Sequence, residues 1–493
     1  MTEPRPGLRE RMAAERQAFA LPLQALARRA VVTCEERCSV ADAVRVMQDN
    51  DVGSVIVVDA HAHPVGIFTS RDLLQVAGAG GLERSVADFM SRDLVTLPPH
   101  AFAYEAALEM TERRIRHILV TEGGRLTGVV SERDLFGLQR LGLGELTMEI
   151  RLADSIETLA GLSVQIRSLA TLLIEQGTAP EPLTLFISVL NDRLTRRVIE
   201  VVRRQHELDR IRWTWLAFGS EGRLEQTFST DQDNGLVFAA LEGVVPDDAR
   251  ARLIPFAREV NEALDACGFP LCDGNIMASN PALCLTLEEW QSKITGWLHV
   301  TSPQALLDAA ICLDLRAIHG DEILANGLRD WIAERVRGHA AFLRLLAQAA
   351  TQMRPARGRF GALVTTDAPG APRTVNLKAN GARIFVDAAR VLALANGLRQ
   401  TNTADRLRAY RVARDQPEGE TAALVDAFHF VQGLRLRGQV GAPEARGGGR
   451  GADEDLANRI DPTTLNAFEQ SCLKEALRLA AQLQRRLELD FQV

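Results

Sequence analysis

The sequence predicts a multidomain chain of mixed class, α/β plus α: α/β units through the first two thirds, then a mostly helical domain. Three observations predict it. A segment near the N-terminus repeats with a period of 62–63 residues, a strand–turn–strand pattern with alternating aspartates occupies 213–239, and helical periodicity recurs beyond residue 340. A length of 493 residues holds about three domains with cores of their own. The expected parts are an N-terminal helical segment (1–28), a duplicated α+β module (29–140), a helical connector (141–210), an α/β domain (211–330) and a helical domain (331–493).

Composition removes several function classes. A formal net charge of −7 argues against general nucleic-acid binding, which draws on a basic excess. No apolar run reaches the roughly 18 residues of a membrane span, and the opening MTEPRPGLRERMAAERQ lacks the apolar core of a signal peptide. The closest cysteine pairs, Cys34/Cys38 and Cys267/Cys272, do not have zinc-site spacing. The expectation is a soluble cytoplasmic protein with reduced thiols.

The repeat comes first. Residues 33–74 and 96–136 each read helix, strand, turn, strand, helix. Ala41–Met47 and Tyr104–Met110 carry the helical spacing, while Val55–Val58, Val65–Phe68, His117–Val120 and Leu126–Val130 are β-rich. Both copies end alike, in Gly66-Ile-Phe-Thr69-Ser-Arg-Asp72 and Gly128-Val-Val-Ser131-Glu-Arg-Asp134. With these endings the repeat resembles a tandem pair of CBS domains (the cystathionine-β-synthase type). The resemblance implies a regulatory adenine nucleotide, with Thr69 and Ser131 at phosphate and Asp72 and Asp134 at ribose hydroxyls. A carboxylate can accept both hydrogen bonds of a vicinal diol. The same aspartates also suit the capping of the final helices.

Between the repeat and the aspartate pattern, Ile156, Leu159, Leu162, Ile166, Leu169 and Leu173 keep helical spacing until Gly177–Pro182 interrupts it. Two amphipathic helices are expected, either as a hairpin on the next domain or as a lever or dimer interface relaying the state of the repeat.

Trp213–Phe218 is β-rich, Gly219-Ser220 is a tight turn, and Asp231 and Asp233 lead into Gly235–Phe238. Residues two apart on a strand share a face, so both carboxylates aim at one point, a ligand set that suits Mg²⁺ with substrate phosphates. Strand, Gly-Ser turn, helix, D-x-D and strand together resemble the nucleotidyltransferase superfamily of DNA polymerase β. The longer string Gly219-Ser-Glu-Gly-Arg-Leu-Glu-Gln226…Thr230-Asp-Gln-Asp-Asn234 is similar to nucleotidyltransferase domains that follow CBS pairs in bacterial signalling proteins. The resemblance implies that Gly219 and Ser220 hold the phosphates of an NTP. Arg223 is a candidate anion partner, or pairs with Glu225 or Glu221.

The superfamily needs a third acid. Asp314, inside the apolar run Ile311–Ile318, is the chosen residue, because a charge buried there needs a partner or a metal. Its alternatives are a structural pairing with Arg316, and Asp273 as the acid instead. The resemblance then implies two Mg²⁺ ions on Asp231, Asp233 and Asp314, and in-line attack on the α-phosphorus with loss of pyrophosphate.

The last third carries helical periodicity over 340–350, 382–398, 403–413, 420–436 and 465–487, with a Gly-rich loop at 442–453. It resembles the substrate-binding helical domain that accompanies this nucleotidyltransferase family. Only three lysines occur in the chain, and Lys378 is read as a compact cation for a phosphate oxygen or as a surface residue at a strand end. The expected function is UMP or AMP transfer to an acceptor, a regulatory protein of the PII type, by a CBS-regulated, uridylyltransferase-like homodimer joined through its CBS pair or connector helices. The alternatives are a catalytically silent adenine-nucleotide sensor working through a partner, and transfer to a small molecule.

Overall fold

The structure is a computed structural model that describes residues 21–27, 31–50, 52–61, 63–70, 72–73, 76, 81–132, 134–135, 143–228, 230–240, 245–299, 302–358, 361–368, 371–440 and 455–493. Most of the N-terminal segment and the loop at 442–453 lie outside these residues, as do parts of the helices that end each repeat. The chain divides into two compact units that meet in sequence at Leu152 and Ala153.

In the first unit each repeat builds a three-stranded sheet of the same design. Strands β1 (Thr33–Glu35), β2 (Ser54–Val58) and β3 (Pro64–Thr69) form one, with helix α1 (Val40–Asp49) between β1 and β2. Strands β4 (Thr96–Leu97), β5 (His117–Glu122) and β6 (Arg125–Ser131) form the other, with α2 (Ala103–Arg113). Each pairs its first two strands parallel and its last two antiparallel, with a register shift after Val57 and after Val120. Ser39 caps α1 by accepting from the Asp42 amide at 3.1 Å, satisfying one donor that the first turn leaves open. Val40, Ala43 and Met47 then pack on Val55, Val57 and Phe68.

The described part of the N-terminal segment, residues 21–27, is not separate from the repeats. Leu23 N donates to Ala101 O and Ala103 N to Leu21 O, both at 2.8 Å, just as Val86 N donates to Cys38 O and Val40 N to Arg84 O in the other copy. The segment around Pro22–Ala27 thus stands to the second repeat as Ser85–Met90 stands to the first. Both cross a strand at glycine. A Cβ on Gly66 would lie 2.2 Å from the Met90 sulfur, and one on Gly128 would lie 2.4 Å from the Ala27 Cβ. Gly128 is therefore a packing requirement against Ala27, whereas a side chain at Gly66 would have to displace the Met90 thioether. A final helix, α3 (Leu143–Leu152), packs on α2.

The second unit contains the expected connector helices α4 (Ile156–Glu175) and α5 (Pro180–Arg203), in one compact unit with the α/β domain. Its sheet has the order β10–β7–β8–β9: β7 (Ile211–Ala217), β8 (Asn234–Ala240), β9 (Cys284–Thr286) and β10 (Arg316–Gly320). β7 runs antiparallel to β8 and β10, while β8 and β9 are parallel across the long helix α6 (Pro246–Ala266). The buried Trp290 indole, on α7 (Leu287–Leu298), donates to Leu236 O at 2.9 Å and fixes that helix on the sheet. The apolar run 311–318 is not one strand. Helix α8 (Pro303–Cys312) ends first and β10 starts at Arg316, leaving Asp314 in the link.

Five long helices close the unit: α9 (Glu322–Arg337), α10 (Ala340–Gln352), α11 (Arg383–Ala395), α12 (Thr403–Ala413) and α13 (Glu418–Val440), followed by α14 (Ala467–Phe491). A small sheet of β11 (Thr366–Ala368), β12 (Ala371–Asn376) and β13 (Arg459–Ile460) ends just before Lys378. Among the described residues no helix is long and apolar enough to cross a membrane.

Candidate active site

Strands β7 and β8 end side by side, Ala217 opposite Asn234, so the connection 218–233 closes over one edge of the sheet. Alternation through Asp231-Gln-Asp-Asn234 divides the labour. Gln232 and Asn234 face inward, where Asn261 of α6 donates to Gln232 Oε1 at 2.7 Å and to Asn234 Oδ1 at 3.0 Å. Asn234 Oδ1 also accepts from Ala278 N at 2.8 Å, and Asn261 Oδ1 from Ser279 N at 3.2 Å. The Met277–Asn280 segment is thus a clamp that positions the loop before it. Asp231 and Asp233 face the other way.

The Gly-Ser turn is built against Asp233. Phe218 N donates to Asp233 O at 2.8 Å. Gly219 has φ +52°, and a Cβ there would lie 2.4 Å from Asp233 Oδ2. Only glycine both takes this backbone conformation cheaply and leaves that room. Three residues on, a Cβ on Gly222 would lie 1.9 Å from the Asp314 carbonyl. Helix α5 supplies the floor: Ser188 accepts from Gln226 N at 3.0 Å, and Asn191 donates to Gln226 Oε1 at 3.3 Å.

Cys272, which the sequence reading passed over in favour of its neighbour Asp273, completes the centre. Ligand atoms of Asp231, Asp233 and Cys272 all lie within 4.8 Å of one another, and the Cys272 thiol donates to Asp233 Oδ1 at 3.6 Å. Asp273 is exposed. Burial and the Asp231 charge push the Asp233 carboxyl up to about 7, against the pull of the Cys272 hydrogen bond, Lys378 and Arg223. Burial, with Asp233 adding, pushes the Cys272 thiol up to about 12. Two converging carboxylates, Asp233 among them held back from ionising by burial and by the Asp231 charge, are a set that a divalent cation would complete. The residues present fit Mg²⁺.

Asp314 is not in that set. It is fully buried and held by three guanidinium groups: Arg390 Nε and Nη2 at 3.0 and 2.7 Å, Arg406 Nη1 at 2.7 Å and Arg223 Nη1 at 2.6 Å. Burial opposes its ionisation, but Arg390, Arg406 and Arg223 hold the carboxyl well below the usual range. Both oxygens are committed to cations, so the expected third metal ligand is a structural anchor. The expected alternative, pairing with Arg316, also fails. Arg316 bonds both oxygens of Asp192 on α5, at 2.7 and 2.9 Å.

Arg223 likewise serves the anchor rather than an open phosphate site. It binds Glu225 at 2.8 Å beside Asp314, its carbonyl accepts from Asn402 at 3.0 Å, and Glu225 accepts from Thr403 N at 2.6 Å. The Gly-Ser turn is thereby tied to α11 and α12 of the helical domain. Lys378 is exposed and close enough to favour the charged form of Asp233. Ser220 is partly buried. Glu221 is buried, and that burial, with Asp192 adding, pushes its carboxyl up to about 8 despite Arg316.

In the first unit the two aspartates do the same thing twice. Asp72 Oδ2 accepts from Thr69 N and Oγ1, both at 2.8 Å, and Asp134 Oδ2 accepts from Ser131 N at 2.8 Å and Oγ at 2.6 Å. The hydroxyl and carboxylate of each ending are one hydrogen-bonded unit, the carboxylate reaching back to the residue three before it.

Comparison with known proteins agrees with this division. Residues 23–78 and 86–140 match the "CBS domain" family. Residues 164–304 match "Putative nucleotidyltransferase DUF294", and residues 340–491 match "Putative nucleotidyltransferase substrate binding domain". Among curated proteins, the chain is 28% identical over 106 residues to a 17.7 kDa protein of Acidianus ambivalens, covering 21% of this chain and 65% of that protein. It is 34% identical over 98 residues to an inosine-5'-monophosphate dehydrogenase of Nitrosopumilus maritimus, covering 20% of each. The match thus spans less than two thirds of either relative. A solved CBS-domain containing protein of Agrobacterium tumefaciens is 33% identical, covers 25% of this chain and 96% of its own, and has a TM-score of 0.24.

Proposed function

For a chain that belongs to the proteins joining a CBS domain pair to a DUF294 nucleotidyltransferase domain and its substrate-binding domain, we propose transfer of a nucleoside monophosphate, UMP or AMP, from an NTP to an acceptor. The observation that carries the reading is the convergence of Asp231 and Asp233 against Gly219 at the edge of the sheet.

Asp231 and Asp233 would hold Mg²⁺. When bound, the cation lowers the cost of charge on the acceptor oxygen and on the leaving pyrophosphate. Gly219 and Ser220 would face the phosphates, since the turn brings backbone within reach of Asp233 and has no side chain at Gly219 to exclude them. Lys378 adds a compact cation near the same carboxylate, suited to a phosphate oxygen. The Asp314–arginine anchor acts at one remove: it fixes the turn to the helical domain, which would carry the acceptor, a regulatory protein of the PII type. In the first unit, Thr69 with Asp72 and Ser131 with Asp134 would hold an adenine nucleotide. A nucleotide regulates only if it binds one state of the protein better than another.

The second reading, a silent adenine-nucleotide sensor, draws on one observation: the third carboxylate is committed to arginines. Incubation with Mg²⁺ and each α-labelled NTP, with and without cell extract, separates the two. A labelled protein supports the transferase, a labelled small molecule corrects the acceptor class, and nucleotide binding with no label transferred supports the sensor.

A further inference from the structure

On the face of the loop opposite the two carboxylates lie three side-chain amides. Gln232, Asn234 and Asn261 are each 1–2% exposed. Asn261 Nδ2, from α6, donates to Gln232 Oε1 at 2.7 Å and to Asn234 Oδ1 at 3.0 Å, and its Oδ1 accepts from Ser279 N at 3.2 Å. Gln232 Nε2 donates back to the Asn261 carbonyl at 2.9 Å and to the Phe269 carbonyl at 2.8 Å. The backbone bonds into the same stretch: Gln232 N donates to Pro270 O and Asn234 N to Ile276 O, both at 3.0 Å. The residues on either side of Asp233 are thus held by side chain and by backbone.

A buried amide costs free energy unless its bonds are made, and apolar partners of the same shape can be about as stable. What the hydrogen bonds add is direction. A slip of one residue along 231–234 would turn the aspartates inward and the amides outward. Neutrality matters as well. At Asp314, buried arginines take up both oxygens of a carboxylate. Amides keep Asp231-Gln-Asp-Asn234 in register and bring no positive charge to compete with a cation.

We propose that Asn261 is a positioning residue for the cation centre: through Gln232 and Asn234 it sets the separation of the Asp231 and Asp233 carboxylates. The inference rests on the Asp231/Asp233 metal reading and deepens it. It places control of cation affinity on α6, 27 and 29 residues along the chain from the amides that Asn261 holds.

The test is Mn²⁺ binding to the full chain, followed by the electron paramagnetic resonance of the free ion, because Mn²⁺ takes the same oxygen ligands as Mg²⁺. Asn261→Leu and Gln232→Met preserve much of each side chain's shape and delete its hydrogen bonds. Each should bind Mn²⁺ about tenfold more weakly than the wild type. At saturating Mg²⁺ each should lower kcat and leave the NTP KM in place. Gln232→Met, an unbranched replacement that cores accept, carries the test if Asn261→Leu does not fold. Thr214→Val is the control. It deletes a buried hydrogen bond of the same sheet, Thr214 Oγ1 to Asp321 O at 2.5 Å, three residues up β7 from the pairing of Ala217 with Asn234. It should lower the melting temperature but change Mn²⁺ affinity by less than about twofold. Unchanged Mn²⁺ affinity in the folded amide variants, or an equal loss in Thr214→Val, overturns the inference while leaving the Asp231/Asp233 reading intact. Mn²⁺ binding that survives in Asp231→Asn with Asp233→Asn, or that the wild type lacks, overturns that reading itself, and the inference with it.

Discussion

Replacing Asp314 with alanine should weaken the fold before it touches the metal centre. The anchor balances three guanidinium groups, of Arg223, Arg390 and Arg406, against three carboxylates, of Asp314, Glu225 and Asp387. After the change Arg223 keeps Glu225 and Arg390 keeps Asp387, but Arg406, 2% exposed, loses its carboxylate. One buried charge is left uncompensated, which costs about 3–5 kcal/mol. Unfolding entropy near ~2.1 cal/mol/K per residue gives the second unit, Ala153–Val493, roughly 0.7 kcal/mol/K. The melting temperature should therefore fall by about 4–7 °C. The sign with pH is fixed too. A carboxyl held below its unfolded value contributes stability above that value and loses it as pH falls through the folded one. The gap between wild type and variant should stay constant from neutral pH down to about 4 and close only below that. Differential scanning calorimetry across pH reads both effects. An unchanged melting temperature combined with lost Mn²⁺ binding would refute the argument and restore Asp314 to the metal site.

Three further outcomes follow from the same contacts. Gly219→Ala puts a methyl group against Asp233 and a side chain at positive φ. It should cost about 1–2 kcal/mol and most of the turnover, read by melting and pyrophosphate release; wild-type kinetics would contradict the cradle. Asp72→Ala with Asp134→Ala should abolish AMP and ADP binding in calorimetric titration of the full chain, and with it any adenine-nucleotide modulation of rate, while the lost carboxylate hydrogen bonds cost about 1 kcal/mol at each ending. Retained binding would leave these aspartates as partners of Thr69 and Ser131 alone. Lys378→Arg should raise the NTP KM with little change in kcat, because a planar fork cannot stand in for a compact charge; unchanged kinetics would return Lys378 to the surface.

The elements legible in the sequence were those whose period is local. The repeated helices and strands, α4 and α5, and five of the C-terminal helices could be read from spacing, as could the shared face of Asp231 and Asp233. What could not be read depends on partners far along the chain. Asp314 looked like a ligand because a buried charge demands compensation, but its compensation comes from Arg390 and Arg406, 76 residues or more away. Local spacing cannot distinguish a metal from a distant arginine. Arg316 found Asp192, 124 residues back, instead of its near neighbour. Cys272 was passed over because a single thiol carries no spacing signal. The role of the Met277–Asn280 segment as a clamp appears only in three dimensions, through Asn234 and Asn261. Residues 21–27 joined the repeat through backbone hydrogen bonds, which composition does not report.

The most direct test of the central claim is pyrophosphate release with Mg²⁺ and each NTP in the presence of acceptor-containing extract, comparing wild type with Asp231→Asn, Asp233→Asn. Removing both charges deletes the cation's ligands while relieving the repulsion that holds the Asp233 carboxyl up, so the double variant should melt at or above the wild-type temperature. The account predicts NTP-dependent release by the wild type and none by this folded variant; equal release by the two proteins would contradict it.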